Sequence, residues 1–261
     1  MTITGSFIKS AVAAGSIALM SIGIAQTAAA EELDTLRDNG VIRIAMTGAY
    51  PPFNFVSESN EVVGFDPAVG SEIAKRMGLE VEIVTTAWDG IIGGLLANKY
   101  DAIVGSMSIT EERKQVVDFV GPYYSTMRAI FTMSGSEVTS VSQLGDVTIG
   151  VTLGETHEQW AREQGYNVKT YKGLPELLLE LENGRVEAII GDSIAVILAA
   201  KASERDIAQI QDLVTESVGA GIAIRKGNPK LHAAMQESLE AMQADGTYLT
   251  IAQKWVGGDI R

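Results

Sequence analysis

The chain has no cysteine and only two histidines among its 261 residues, and its 20 Lys and Arg are outnumbered by 33 Asp and Glu. Without cysteine there is no disulfide scaffold, no thiol nucleophile, no thiolate metal site and no lipid-modified cysteine anchor. His157 and His232 lie far apart on separate predicted helices, and no H-E-x-x-H occurs, so no metal site is expected. The net charge of −13 argues against nucleic acid as a partner, because phosphate recognition needs clustered basic residues. No G-x-S-x-G elbow, Walker loop or G-x-G-x-x-G is present, so hydrolase, NTPase and dinucleotide readings lack their usual support and no cofactor is expected. What the chain does have is 46% hydrophobic residues and 27 glycines, enough for one large core or two smaller ones.

From Ser10 to Ala30 no residue is charged, and Lys9 precedes an apolar stretch that runs into QTAAA. This is the pattern of a secretory signal peptide, with Ala28 and Ala30 fitting an A-x-A cleavage site and the mature chain starting near Glu31. No later stretch is long and apolar enough to span a bilayer. The mature protein is therefore expected to be soluble outside the cytoplasm.

Beyond Glu31 short β-branched runs alternate with amphipathic segments, the signature of an α/β protein. VIRIAM (Val41 to Met46), LEVEIVTT, YDAIVG, TIGVT and VEAIIG read as strands. GFDPAVGSEIAKRMG reads as a helix entered through Asp66 as N-cap and Pro67, and closed by Gly78. WDGIIGGLLAN, HEQWAREQG and LPELLLELENG read as further helices. NPKLHAAMQESLEAMQADG places Leu231, Met235, Leu239 and Met242 on one helical face.

NKYDAIVGS (Asn98 to Ser106) lines up with GRVEAIIGD (Gly184 to Asp192). Either two helix–turn–strand units look alike, or the chain holds two similar α/β lobes. In the second case each lobe presents a polar residue, Ser106 or Asp192, beyond the carboxyl end of a strand, where open α/β sheets bind ligands. Two such edges facing each other make a cleft.

In GSMSITEERKQVVDF (Gly105 to Phe119) a strand ends, Ser106 and Ser108 follow, and a helix opens around Thr110 with Arg113 in its first turn. Arginine there opposes the helix dipole. It is either a surface residue paired with a neighbouring acid or a bidentate clamp for a carboxylate.

Taken in order, YPPFNF, GFDPAVGSEIAKRMG, WDGIIGGLLANKYDAIVGSMSITEERKQVVDFVGPYY, IGVTLGET, GRVEAIIGD and ADGTYLTIAQKW resemble the polar amino-acid family of periplasmic solute-binding proteins, the ligand-capturing component of ABC importers. The resemblance implies a type II periplasmic-binding-protein fold: two α/β lobes, two hinge strands and a ligand cleft between the lobes. It places lobe one at residues 31–125 and 219–261, and lobe two at residues 126–218. It implies an amino acid as ligand, a membrane permease as partner, and a monomer without catalysis.

By position, the resemblance makes Arg113 the partner of the ligand α-carboxylate, with Ser108 and the Thr156 amide beside it, and Ser106 is a further candidate ligand-binding residue. Asp192 pairs with the α-ammonium, or alternatively caps the helix that follows. Tyr50 and Trp88 cover the ligand side chain, although Trp88 could equally be core. Thr47 stands where relatives that bind cationic amino acids often carry an acid, and Glu155 where a small or hydroxyl residue is common. If Glu155 points into the cleft, a basic ligand such as arginine, lysine or ornithine is expected. A periplasmic dehydratase of cyclic amino acids on the same fold is the alternative, with Glu155 as its acid.

Overall fold

The protein is described by a computed structural model covering residues 1–2, 32–213 and 215–261. The expected leader and its cleavage site lie outside the described residues. Among the described residues no helix is long and apolar enough to cross a membrane.

A nine-stranded sheet runs through the molecule. Its first half holds β1 (Val41–Met46), β5 (Glu80–Thr85), β6 (Ala102–Ser108) and β12 (Ser217–Arg225) in the order β5-β1-β6-β12. Its second half holds β8 (Thr148–Thr152), β9 (Asn167–Tyr171) and β10 (Ala188–Asp192), and it is joined to the first by the 17-residue β7 (Val117–Met133) in the order β12-β7-β10-β8-β9. The short β11 (Ile207–Gln209) pairs with β7. A small separate sheet, β2 (Ala49–Tyr50), β3 (Asn54–Val56) and β4 (Val62–Val63), carries the YPPFNF segment.

The two halves have the same plan. In the first, β1 lies parallel to β5 and β6; in the second, β8 lies parallel to β9 and β10. An antiparallel strand then closes each group, β12 against β6 and β7 against β10. The sequence similarity between 98–106 and 184–192 falls on equivalent parts: Asn98 and Gly184 both take the left-handed conformation of a helix-ending turn, with φ of 56° and 65°. Each turn leads into a central parallel strand whose end faces the other half.

Helices cover the faces. α1 (Glu32–Asn39), α2 (Phe65–Arg76), α3 (Ile91–Leu96), α8 (Pro229–Ala244) and α9 (Thr247–Val256) belong with the first half, and α4 (Glu111–Lys114) follows β6. α5 (Thr156–Glu163), α6 (Leu174–Glu182) and α7 (Ser193–Ala202) belong with the second. The face expected on α8 is buried as read, with Leu231, Met235, Leu239 and Met242 all in the core. On α2, Phe65, Val69 and Ile73 recur at four-residue intervals and are likewise buried. Gly70 lets that helix approach β1: a Cβ there would stand 3.1 Å from Ile44 Cδ1.

The start of α2 differs from the sequence expectation. The helix begins at Phe65, its N-cap position is Gly64, and no side chain caps it. The Asp66 carboxylate is buried and drawn to other donors: Asn54 Nδ2 at 2.6 Å, the Tyr123 hydroxyl at 2.7 Å and the Ser106 hydroxyl at 2.9 Å. A buried carboxylate needs several donors, and these lie toward the sheet rather than at the helix end. Burial still pushes the Asp66 carboxyl up to about 6, against the pull of these hydrogen bonds.

β7 and β12 pair from Val117 with Arg225 to Met127 with Ser217, with a shift of register between Ala220 and Ile222. Beyond Met127, β7 continues into the second half of the sheet, where Arg128 to Phe131 pair with β10.

Candidate functional site

Arg113 sits in the first turn of α4, where the Thr110 side chain accepts from its amide at 3.2 Å as an N-cap. Its Nη1 donates to the Ser108 carbonyl at 3.0 Å, and its guanidinium lies 5.5 Å from the centre of the Trp88 ring. Burial pushes this guanidinium below its ordinary pKa, opposed by the negative charge of Glu155. Among the described residues it makes no ion pair, so a desolvated cation with a free edge faces the cleft.

Asp192 ends β10, opposite Arg128 of β7 in register. It occupies the N-cap position of α7 but makes no capping hydrogen bond. Oδ2 instead accepts from the Tyr50 hydroxyl at 2.5 Å, and Oδ1 lies 3.4 Å from His157 Nε2. Arg128 Nε donates to His157 Nδ1 at 3.2 Å, so Nδ1 is the acceptor and Nε2 carries the proton toward Asp192. Burial alone would raise the Asp192 carboxyl; His157, the Tyr50 hydrogen bond and Arg128 together hold it below the usual carboxylate range. Burial, reinforced by Asp192, pushes the Tyr50 phenol well above its ordinary value, which keeps Tyr50 a donor.

The other expected site residues divide. Tyr50, Trp88, Thr47, Ser106, Ser108, Glu155 and Thr156 all line one cavity with Arg113 and Asp192. Trp88 serves both roles considered for it, packing against the cluster of Ile91, Leu95 and Ile103 while facing the cavity. Ser106 lines the cavity, but at φ 60° its hydroxyl is turned onto Asp66 and its amide donates to the Tyr123 hydroxyl. The Thr47 hydroxyl is likewise engaged, donating to Asn54 Oδ1 at 2.9 Å. Thr156 opens α5, where the first amides have no intrahelical acceptor.

Glu155 stands at the N-cap position of α5, half-buried, without capping it. Its carboxyl is pushed up to about 7, chiefly by burial and further by Asp192, against the pull of His157 and Arg113. Glu155 thus feels the charges of both Asp192 and Arg113 from within the cavity wall.

Sequence reasoning missed Arg128, His157, Lys172 and Gly173. The last three line the cavity, while Arg128 acts behind it. Gly173 and Gly154 bring the two halves together. A Cβ on Gly173 would stand 2.8 Å from the Ala49 carbonyl oxygen, and one on Gly154 would stand 3.0 Å from Asp89 Cα, so only glycine permits either approach. The cavity itself is narrow, about 20 Å³, close to the space of a single water. Wider recesses of about 690 Å³ and 320 Å³ flank it.

The profile of bacterial extracellular solute-binding proteins, family 3, matches residues 42–258. The L-cystine-binding protein TcyJ of Escherichia coli K12 is 31% identical over 232 residues, covering 87% of each chain. The L-arginine-binding protein of Pseudomonas aeruginosa is 30% identical over 239 residues, covering 87% of this chain and 92% of its own. The crystal structure of the ancestral amino acid-binding protein AncCDT-1, a precursor of cyclohexadienyl dehydratase, superposes with a TM-score of 0.80 at 33% identity, over 86% of this chain and 99% of its own.

Proposed function

The chain belongs to the bacterial extracellular solute-binding proteins of family 3, and from that premise we propose that it captures one amino acid between its lobes and delivers it to the permease of an ABC importer. The observation that carries this reading is the convergence of Arg113 and Asp192 on one cavity from opposite halves of the sheet. An α-carboxylate matches the free edge of the guanidinium, and an α-ammonium matches the acid. Ser108 and the start of α5 border the carboxylate end; Tyr50 and Trp88 border the side chain.

Closure follows from this division of labour. Only a ligand that touches both halves favours the closed state over the open one. The lobes divide at residues 31–125 with 219–261 and at residues 126–218, so the hinge falls where Ser125 pairs with Gly219 and Met127 with Ser217. The protein works as an exported periplasmic monomer, released from the leader of residues 1–30, and needs no cofactor.

A dehydratase of cyclic amino acids is not favoured. The curated relatives bind amino acids, and AncCDT-1 is itself an amino acid-binding protein. One experiment tests both readings: a thermal-shift panel of amino acids, followed by recovery of the bound compound. A ligand at about a hundred times its dissociation constant raises stability by ~2.7 kcal/mol. Binding at one per chain with the ligand recovered unchanged supports capture; conversion to product, or no shift with any amino acid, overturns it.

A further inference from the structure

The cavity is polarised along its length. At one end it opens into the 690 Å³ recess, and the residues common to both are Trp88, Arg113, Glu155 and Thr156. At the other end it opens into the 320 Å³ recess through Thr47, Ala49, Trp88 and Lys172. An amino acid held by Arg113 and Asp192 therefore sends its side chain toward the second opening, where Lys172 is the sole charged residue shared by cavity and recess. The Lys172 amide donates to Glu176 at 2.9 Å, but among the described residues its ammonium makes no ion pair. Asp89, the one carboxylate lining this recess, does not line the cavity.

Resting on the amino-acid reading above, we propose that Lys172 selects ligands whose side chain ends in an anionic group, an α-amino dicarboxylate of the glutamate type. The expectation of a basic ligand needed Glu155 at the cationic tip of the side chain. Glu155 lines the cavity where it meets the larger recess, and the opposite opening offers a lysine and the already engaged hydroxyl of Thr47. A guanidinium or ammonium tip would meet a like charge at this opening, whereas a carboxylate tip completes an ion pair with the Lys172 ammonium.

The test is calorimetry of the wild type and Lys172→Gln with L-glutamate, L-2-aminoadipate, L-glutamine, L-arginine and L-lysine. The acidic ligands are expected to bind the wild type most tightly and to lose about tenfold or more in Lys172→Gln, while glutamine changes by less than about twofold. Lys172 is exposed, so an unchanged melting temperature confirms that the variant folds. Preference of the wild type for arginine or lysine, or unchanged glutamate affinity in the variant, overturns this inference and leaves amino-acid capture standing. Failure of all five ligands overturns this inference as well, and failure of the whole amino-acid panel overturns the capture reading beneath it.

Discussion

The Tyr50 hydroxyl donates to Asp192 Oδ2 at 2.5 Å across 142 residues of sequence, joining the small sheet of one half of the molecule to the end of the central strand of the other. It is a neutral donor on a buried carboxylate, the stronger kind of protein hydrogen bond. With only about 20 Å³ between the walls, an amino acid enters when these two groups part. The bond therefore ties the two walls together when the cleft is closed.

Tyr50→Phe should loosen that hold. A hydrogen bond to a charged group contributes about 1.5–3 kcal/mol, enough to shift a marginal open–closed balance. At the same ligand concentration the variant is expected to show a larger radius of gyration by small-angle scattering than the wild type. Identical radii would mean that the bond does not govern closure.

Gly173→Ala should hinder closure from the other side of the cavity, because its Cβ would meet the Ala49 carbonyl oxygen at 2.8 Å. Ligand release is expected to quicken by about tenfold, equivalent to ~1.4 kcal/mol of lost closed-state stability, with the melting temperature of the free protein unchanged. Gly145→Ala, whose Cβ meets nothing within 4 Å, is the control. Stopped-flow release rates that match the wild type in Gly173→Ala would contradict the contact.

Glu155 gives a pH signature. Its folded carboxyl is raised to about 7, above its unfolded value, mainly by burial. The native state therefore holds this proton more tightly than the unfolded state. The stabilisation is fully present below the unfolded pKa and is lost as pH rises through about 7. Glu155→Gln should melt close to the wild type at about pH 4 and progressively higher than it toward about pH 8. Asp66, raised to about 6, is common to both proteins and cancels in the difference. A constant gap in melting temperature across that range would show that Glu155 does not titrate in this way.

Much of the fold was legible because periodicity and punctuation agree. VIRIAM and TIGVT are strands with the boundaries read from sequence, and Thr110 caps the helix that presents Arg113. The repeat between 98–106 and 184–192 marked the two strand ends that face one another. Legibility stopped where long-range pairing decides. Arg128 looks like any charged residue in a β-rich run until β7 is laid against β10, which sets it opposite Asp192. His157 and Lys172 are single polar residues beside turns, and only the approach of the halves gives them a wall to line. Asp66 resembles a helix cap by its place before Pro67, yet three donors from elsewhere in the chain claim it. Local sequence cannot register them.

The most direct test of amino-acid capture is titration calorimetry of Arg113→Ala beside the wild type, using whichever amino acid binds best. Removing one partner of a desolvated ionic contact costs about 2–5 kcal/mol. The account predicts one-to-one binding by the wild type and a loss of at least about thirtyfold in the variant, with its thermal unfolding unchanged. Equal affinity in the two proteins would contradict it.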